Sequence, residues 1–143
     1  MENTIQILNQ IQADSLTMYT KLHNYHWNIK GLQFYNIHQK TEEFYNYFGT
    51  MYDDVAERLL QLNVKPIVTL KGALERSKIE EETKDDFTIQ YAVESIIKDF
   101  NYFLGAFKEL SSASENDAPT QAYADDQIGH FQKEIWMLRS LIE

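Results

Sequence analysis

The sequence predicts an all-α fold: a four-helix bundle with a short additional helix in the connection between the second and third long helices. Two observations carry this. Apolar residues recur at three- and four-residue spacing through four long stretches, and no segment alternates apolar and polar residues as a half-buried strand would. At 143 residues and 43% hydrophobic content the chain can bury one core, so residues 1–143 are read as a single domain. No internal repeat is evident.

The first helix spans Thr4 to about Trp27, with Ile5, Leu8, Ile11, Tyr19 and Leu22 near one stripe and Thr4 as its expected cap. Asn28 to Gln33, containing Lys30-Gly31, reads as a turn. The second helix follows, carrying Phe34, Ile37, Phe44, Phe48, Val55, Leu59 and Leu62, and Pro66 closes it. Leu70, Ala73 and Leu74 mark the short helix between Val68 and Ser77. After Glu80-Glu81-Glu82, a third long helix is expected from Asp85 or Asp86, with a seam of Val93, Ile96, Phe100, Phe103, Phe107 and Leu110. Ser111 to Ala118 is loop by composition. Pro119 opens the fourth helix, since proline is tolerated in a first turn, and its stripe runs Ile128, Phe131, Ile135, Leu138 and Ile142.

Composition narrows the chemistry. Without cysteine, any transition metal must be held by histidine and carboxylate, which leaves iron, manganese and zinc open. No apolar run approaches the roughly 18 residues needed to cross a membrane, so a cytoplasmic protein is expected. A net charge of −9 disfavours a phosphate-binding surface, and Met1 to Thr20 carries no Lys or Arg, so direct DNA binding is not expected.

The residues that point to chemistry lie on the first two helices. Asp53 and Glu57 stand at i and i+4, where two carboxylates on one helix face repel by a few tenths of a kcal/mol. Asp54 and Arg58 have the same spacing with opposite charges and read as a surface ion pair. His26 ends the first helix and His38 begins the second. His38 and Asp53 lie on one helical pattern, so at 1.5 Å per residue they stand roughly 22 Å apart. An ion with ligand bonds near 2 Å cannot bridge that span. If His26, His38, Asp53 and Glu57 form one site, two copies of the chain must build it.

Three further stretches carry a resemblance: His23-Asn24-Tyr25-His26-Trp27-Asn28, Tyr52-Asp53-Asp54-Val55-Ala56-Glu57-Arg58 and Tyr123-Ala124-Asp125-Asp126-Gln127. From about Ile5 to Leu141 the chain resembles the DNA-binding proteins from starved cells, the Dps branch of the ferritin-like superfamily, of the mini-ferritin type. None of the four histidines has a glutamate three positions earlier, so the Glu-x-x-His spacing of ordinary ferritins is missing, which favours this branch. The resemblance implies a ferritin-like bundle assembled as a hollow dodecamer. It also implies a ferroxidase that oxidises Fe(II), preferably with hydrogen peroxide rather than dioxygen, and stores ferric oxyhydroxide, protecting the cell from oxidative damage.

The implied site binds one or two irons between two subunits, with His26, Asp53 and Glu57 from one and His38 from the other. Glu42 and Glu43 match acidic positions implicated in mineral nucleation, and Asp125 and Asp126 match positions lining three-fold pores, although two acids near a helix start also suit its dipole. Trp27, beside His26, is the aromatic residue favoured for a redox role over Tyr45, Tyr47 and Tyr52. Gly49 inside the second helix suggests a close crossing. Two other readings stay open: a non-enzymatic nucleoid-associated or interaction shell protein, and a helical-bundle enzyme using zinc or manganese.

Overall fold

The computed structural model describes all residues, Met1–Glu143. Its elements in order are α1 (Glu2–Asn28), β1 (Ile29–Lys30), α2 (Phe34–Gln61), α3 (Leu70–Arg76), β2 (Phe87–Thr88), α4 (Ile89–Ala113) and α5 (Ala118–Ile142). The fold is an all-α four-helix bundle with α3 as the short connecting helix. The chain divides into two compact units, one of Asn9–Ala92 and one of Met1–Leu8 with Val93–Glu143.

In the first unit α1 and α2 form an antiparallel hairpin, as the ring pairs His26/His38 and His23/Tyr45 show by their opposed order. Ile11, Met18 and Leu22 of α1 and Phe44, Phe48 and Met51 of α2 are buried. The turn between them needs Gly31, whose φ of +137° is closed to residues with a Cβ at ordinary cost. At its far end α2 stops in a Schellman arrangement: Asn63 takes φ +63°, its N–H reaches Leu60 O and the Val64 N–H reaches Leu59 O, both at 2.9 Å. Thr69 caps α3, accepting from the Gly72 N–H at 3.0 Å.

The long connection is held by polar side chains of α1. The Gln12 amide pairs with both backbone groups of Ile67, at 3.0 and 2.9 Å. Asp14, fully buried, accepts from the Lys78 N–H at 2.7 Å and from Ser77 Oγ at 3.2 Å. Asn24 donates to Lys84 O at 2.8 Å and Tyr25 donates to Glu82 Oε1 at 2.9 Å. Burial opposes the Glu82 charge, but hydrogen bonds from Tyr25, Tyr91 and the Lys84 N–H, with Lys21 nearby, outweigh it and hold its pKa below the usual carboxylate value.

In the second unit Phe131 of α5 sits among Phe100, Phe103 and Phe107 of α4, with ring centroids 5.2 to 5.9 Å apart. All four are fully buried.

Three expectations change. Thr4 lies inside α1 rather than capping it, and its hydroxyl donates to Ala113 O at 3.0 Å. The third long helix begins at Ile89, because residues 87 and 88 are spent in a parallel pairing with 29 and 30. That two-residue pairing is too short to leave an alternating pattern. The same helix runs through Ser111 and Ser112 to Ala113, where composition suggested loop.

A candidate metal centre divided along one helix

His26 comes from the last turn of α1 and His38 from the second turn of α2. Their rings stack at 3.6 Å with 16° between planes. Each Nδ1 lies 2.7 Å from the other residue's backbone carbonyl: His26 Nδ1 on His38 O, and His38 Nδ1 on His26 O. A carbonyl oxygen has no proton to give, so in both rings the contact places the proton on Nδ1 and leaves the lone pair on Nε2. Backbone carbonyls thus orient both imidazoles and prepare both Nε2 atoms as ligands. Thr41 adds support: its Oγ1 stands 3.1 Å from His26 Nδ1 and donates to Ile37 O at 2.7 Å.

Burial lowers the His26 pKa below its ordinary 6.5, against the His38 carbonyl, which favours protonation; the His38 ring again lowers it, Glu42 raises it and His23 lowers it. The neutral ring is the one that can bind a metal.

Farther along α2, ligand atoms of Asp53, Asp54 and Glu57 all lie within 4.8 Å of one another, and all three residues are exposed. Asp54 groups with the acids, and Arg58 donates to Gln61 Oε1 at 2.8 Å. Since α2 is continuous, its rise still sets the acids roughly 22 Å from His38. His26 stands with His38, so it cannot share an ion with Asp53 and Glu57 of its own chain. The division expected from the resemblance, His26 with the two acids and His38 alone, is corrected: the imidazoles form one group and the carboxylates another.

The remaining positions are placed as follows. Glu43 pairs with Lys40 at 3.0 Å, and Glu42 reaches the Tyr45 hydroxyl and the field of His26. Asp125 accepts from Ser111 Oγ at 2.6 Å, and Asp126 is exposed. Trp27 is 66% exposed, with its ring centroid 5.6 Å from that of His23. Thr41, not singled out from the sequence, belongs here, and so does Asp54, expected only as a surface partner of Arg58. A hydroxyl within the buried stripe of Ile37, Phe44 and Phe48 was the available signal for Thr41.

Imidazole nitrogens and carboxylate oxygens make a donor set suited to borderline and harder ions such as Fe(II) and Zn(II). No helix is long and apolar enough to cross a membrane.

Comparison with known proteins agrees across nearly the whole length. The family model of the ferritin-like domain matches residues 5–143. The chain is 44% identical over 139 residues to a DNA protection during starvation protein of Helicobacter pylori, covering 96% of each. Among solved structures it is similar to Helicobacter cinaedi CAIP, with a TM-score of 0.95 at 44% identity over 98% of this chain and 99% of that one. It is also similar to a Dps protein of Vibrio cholerae O1, described as one of the ferritin-like diiron-carboxylate proteins, with a TM-score of 0.93 at 27% identity over 99% and 90%.

Proposed function

This chain belongs to the Dps family of the ferritin-like superfamily, and we propose that it is a ferroxidase and iron-storage protein whose site is completed by two subunits. One subunit contributes His26 and His38, and its partner contributes Asp53 and Glu57, with Asp54 beside them. One observation carries this reading: two imidazoles are already tautomer-fixed and oriented for a ligand, while the nearest clustered carboxylates of the same helix are roughly 22 Å away. A two-fold interface brings each group of one copy to the complementary group of the other and builds two equal sites. The repulsion within the acidic trio is relieved when a cation arrives.

Fe(II), one or two per site, is the substrate. Imidazole suits the ferrous ion, and the carboxylates suit the ferric product. Each hydrogen peroxide takes two electrons from two Fe(II) ions and two protons from solvent to give two waters; dioxygen is the alternative oxidant. The ferric product is stored as oxyhydroxide within a hollow dodecamer, each subunit a single domain of residues 1–143, and this removes the two reagents of hydroxyl-radical formation together. Asp125 and Asp126 favour Fe(II) entry by charge, and Glu42 and Glu43 offer oxygen ligands for mineral growth. The charge of −9 per chain, multiplied twelvefold, disfavours DNA binding, and a cytoplasmic location fits a reductant-derived substrate.

Size-exclusion chromatography with light scattering, followed by anaerobic Fe(II) and then peroxide, tests the proposal. A twelve-subunit mass with peroxide-dependent oxidation is expected. A monomer that oxidises Fe(II) at full rate overturns the shared site.

A further inference from the structure

His26 sits in the last turn of α1, where a helix frays because its final carbonyls have no partner within the helix. The imidazole pair therefore needs that turn held in register with α2. Hydrogen bonds from the connection between α3 and α4 hold it, at the two residues just before His26. The Asn24 amide donates to Glu82 O at 3.3 Å and to Lys84 O at 2.8 Å, and its oxygen accepts from the Asn28 amide at 2.8 Å. Tyr25, fully buried, donates to Glu82 Oε1 at 2.9 Å, and its ring meets that of Phe87 edge-on at 5.1 Å. Beyond His26 the chain is held again, where Ile29 pairs with Phe87 and Lys30 with Thr88. Glu82 joins these segments. Besides Tyr25 of α1 it accepts from the Tyr91 hydroxyl of α4 and from the Lys84 N–H, 3.3 Å from Oε2, with the charge of Lys21 nearby.

We propose that Glu82 is a positioning residue for the iron site: through the Tyr25 hydroxyl, and with Asn24 gripping the backbone of residues 82 and 84, it fixes the turn of α1 from which His26 reaches His38. This rests on the site reading given above. Each imidazole depends on the other residue's backbone carbonyl at 2.7 Å. A shift of the α1 end by about 1 Å would break both contacts together, because neither would then lie within hydrogen-bond distance. Both Nε2 lone pairs would lose their direction at once. Glu82 thus acts at one remove, on the helix turn, and its effect falls on metal affinity.

Zn(II) titration of the assembled, metal-free protein by calorimetry reads the effect, the imidazole site being the Zn(II) binding that is lost in the His26→Ala/His38→Ala double variant. Glu82→Ala is expected to weaken that binding roughly tenfold. Tyr25→Phe, which leaves the carboxylate in place, carries the same expectation should Glu82→Ala fail to assemble. Glu82→Gln, whose amide oxygen still accepts from Tyr25, recovers most of the affinity. Gln12→Ala separates positioning from general loosening, since it loses both bonds to Ile67 in the long connection between α2 and α4 but lies twelve residues before Asn24. It is expected to lower the urea midpoint and leave Zn(II) affinity within about twofold. Hydrogen exchange in peptides spanning 24–31 quickens in Glu82→Ala and not in Gln12→Ala. Unchanged affinity in a Glu82→Ala protein of unchanged mass overturns the role of Glu82, as does an equal loss in Gln12→Ala, and either leaves the shared-site reading standing. Zn(II) binding that is the same without the two imidazoles overturns that reading and this one with it.

Discussion

The two ends of α2 solve opposite problems. At its start, His26 and His38 satisfy each other's ring protons with backbone carbonyls, so this group is ordered by the fold before any ligand arrives. Farther on, Asp53, Asp54 and Glu57 are exposed, carry like charge within 4.8 Å, and are drawn together by the helix alone. One group is preorganised by the fold, and the other is gathered only by its helix. Preorganisation is available to the imidazoles because each has a donor to spare beyond its ligand atom, whereas an ionised carboxylate only accepts.

The largest expected effect tests whether both ends serve one site. Replacing His26 and His38 with alanine, or Asp53 and Glu57 with alanine, should each lower peroxide-dependent Fe(II) oxidation by at least about a hundredfold, more than the tenfold to hundredfold typical of outer partners. Unfolding the two variants together and refolding them as a mixture should restore activity to about one quarter of wild type, since each site then needs its imidazoles from one variant and its acids from the other across a two-fold interface. A mixture no better than its components would separate the two ends for good.

Thr41→Val sharpens the comparison by loosening only the prepared end. Loss of the hydroxyl 3.1 Å from His26 Nδ1 should weaken Zn(II) or Fe(II) affinity roughly tenfold, read by calorimetry, with the helix content unchanged.

pH acts on the same end. The folded His26 pKa lies below the unfolded value near 6.5, so the unfolded chain binds the proton first as pH falls. The stability tied to the neutral ring is complete above 6.5 and is lost as pH drops through the lowered folded value. Urea midpoints measured across that window should fall in the wild type and flatten in His26→Gln. The opposite slope would show that the ring is held as a cation.

The smallest effect belongs to the unprepared end. Asp53→Asn in metal-free protein should raise stability by a few tenths of a kcal/mol, by easing the repulsion with Glu57, and the gain should disappear when Zn(II) is added. Chemical unfolding at fixed protein concentration reads both.

Legibility followed periodicity. The stripes of α2 and α4 announced long helices because their apolar residues recur with the helical period, and Leu70, Ala73 and Leu74 lie in the short helix that was expected. Gln12, Asp14 and Asn24 are polar positions of α1 that hold the connection by bonds to backbone 55 to 64 residues away. Side-chain polarity does not say which distant amide it will meet. Thr4 misled for the same reason: a threonine near a helix start is a usual cap, but here its partner is Ala113. The four candidate residues, His26, His38, Asp53 and Glu57, could be named from the sequence, while the grouping of His26 with His38 could not.

From sequence alone, helix rise settled that His38 and Asp53 cannot share an ion within one chain, because fifteen residues of α2 cover roughly 22 Å whatever surrounds them. Which group His26 joins was decided only by tertiary structure. The turn at Gly31 folds α1 back on α2, and two carbonyls meet two ring nitrogens at 2.7 Å. That meeting depends on where two helices cross, and helix spacing along either one carries no record of it.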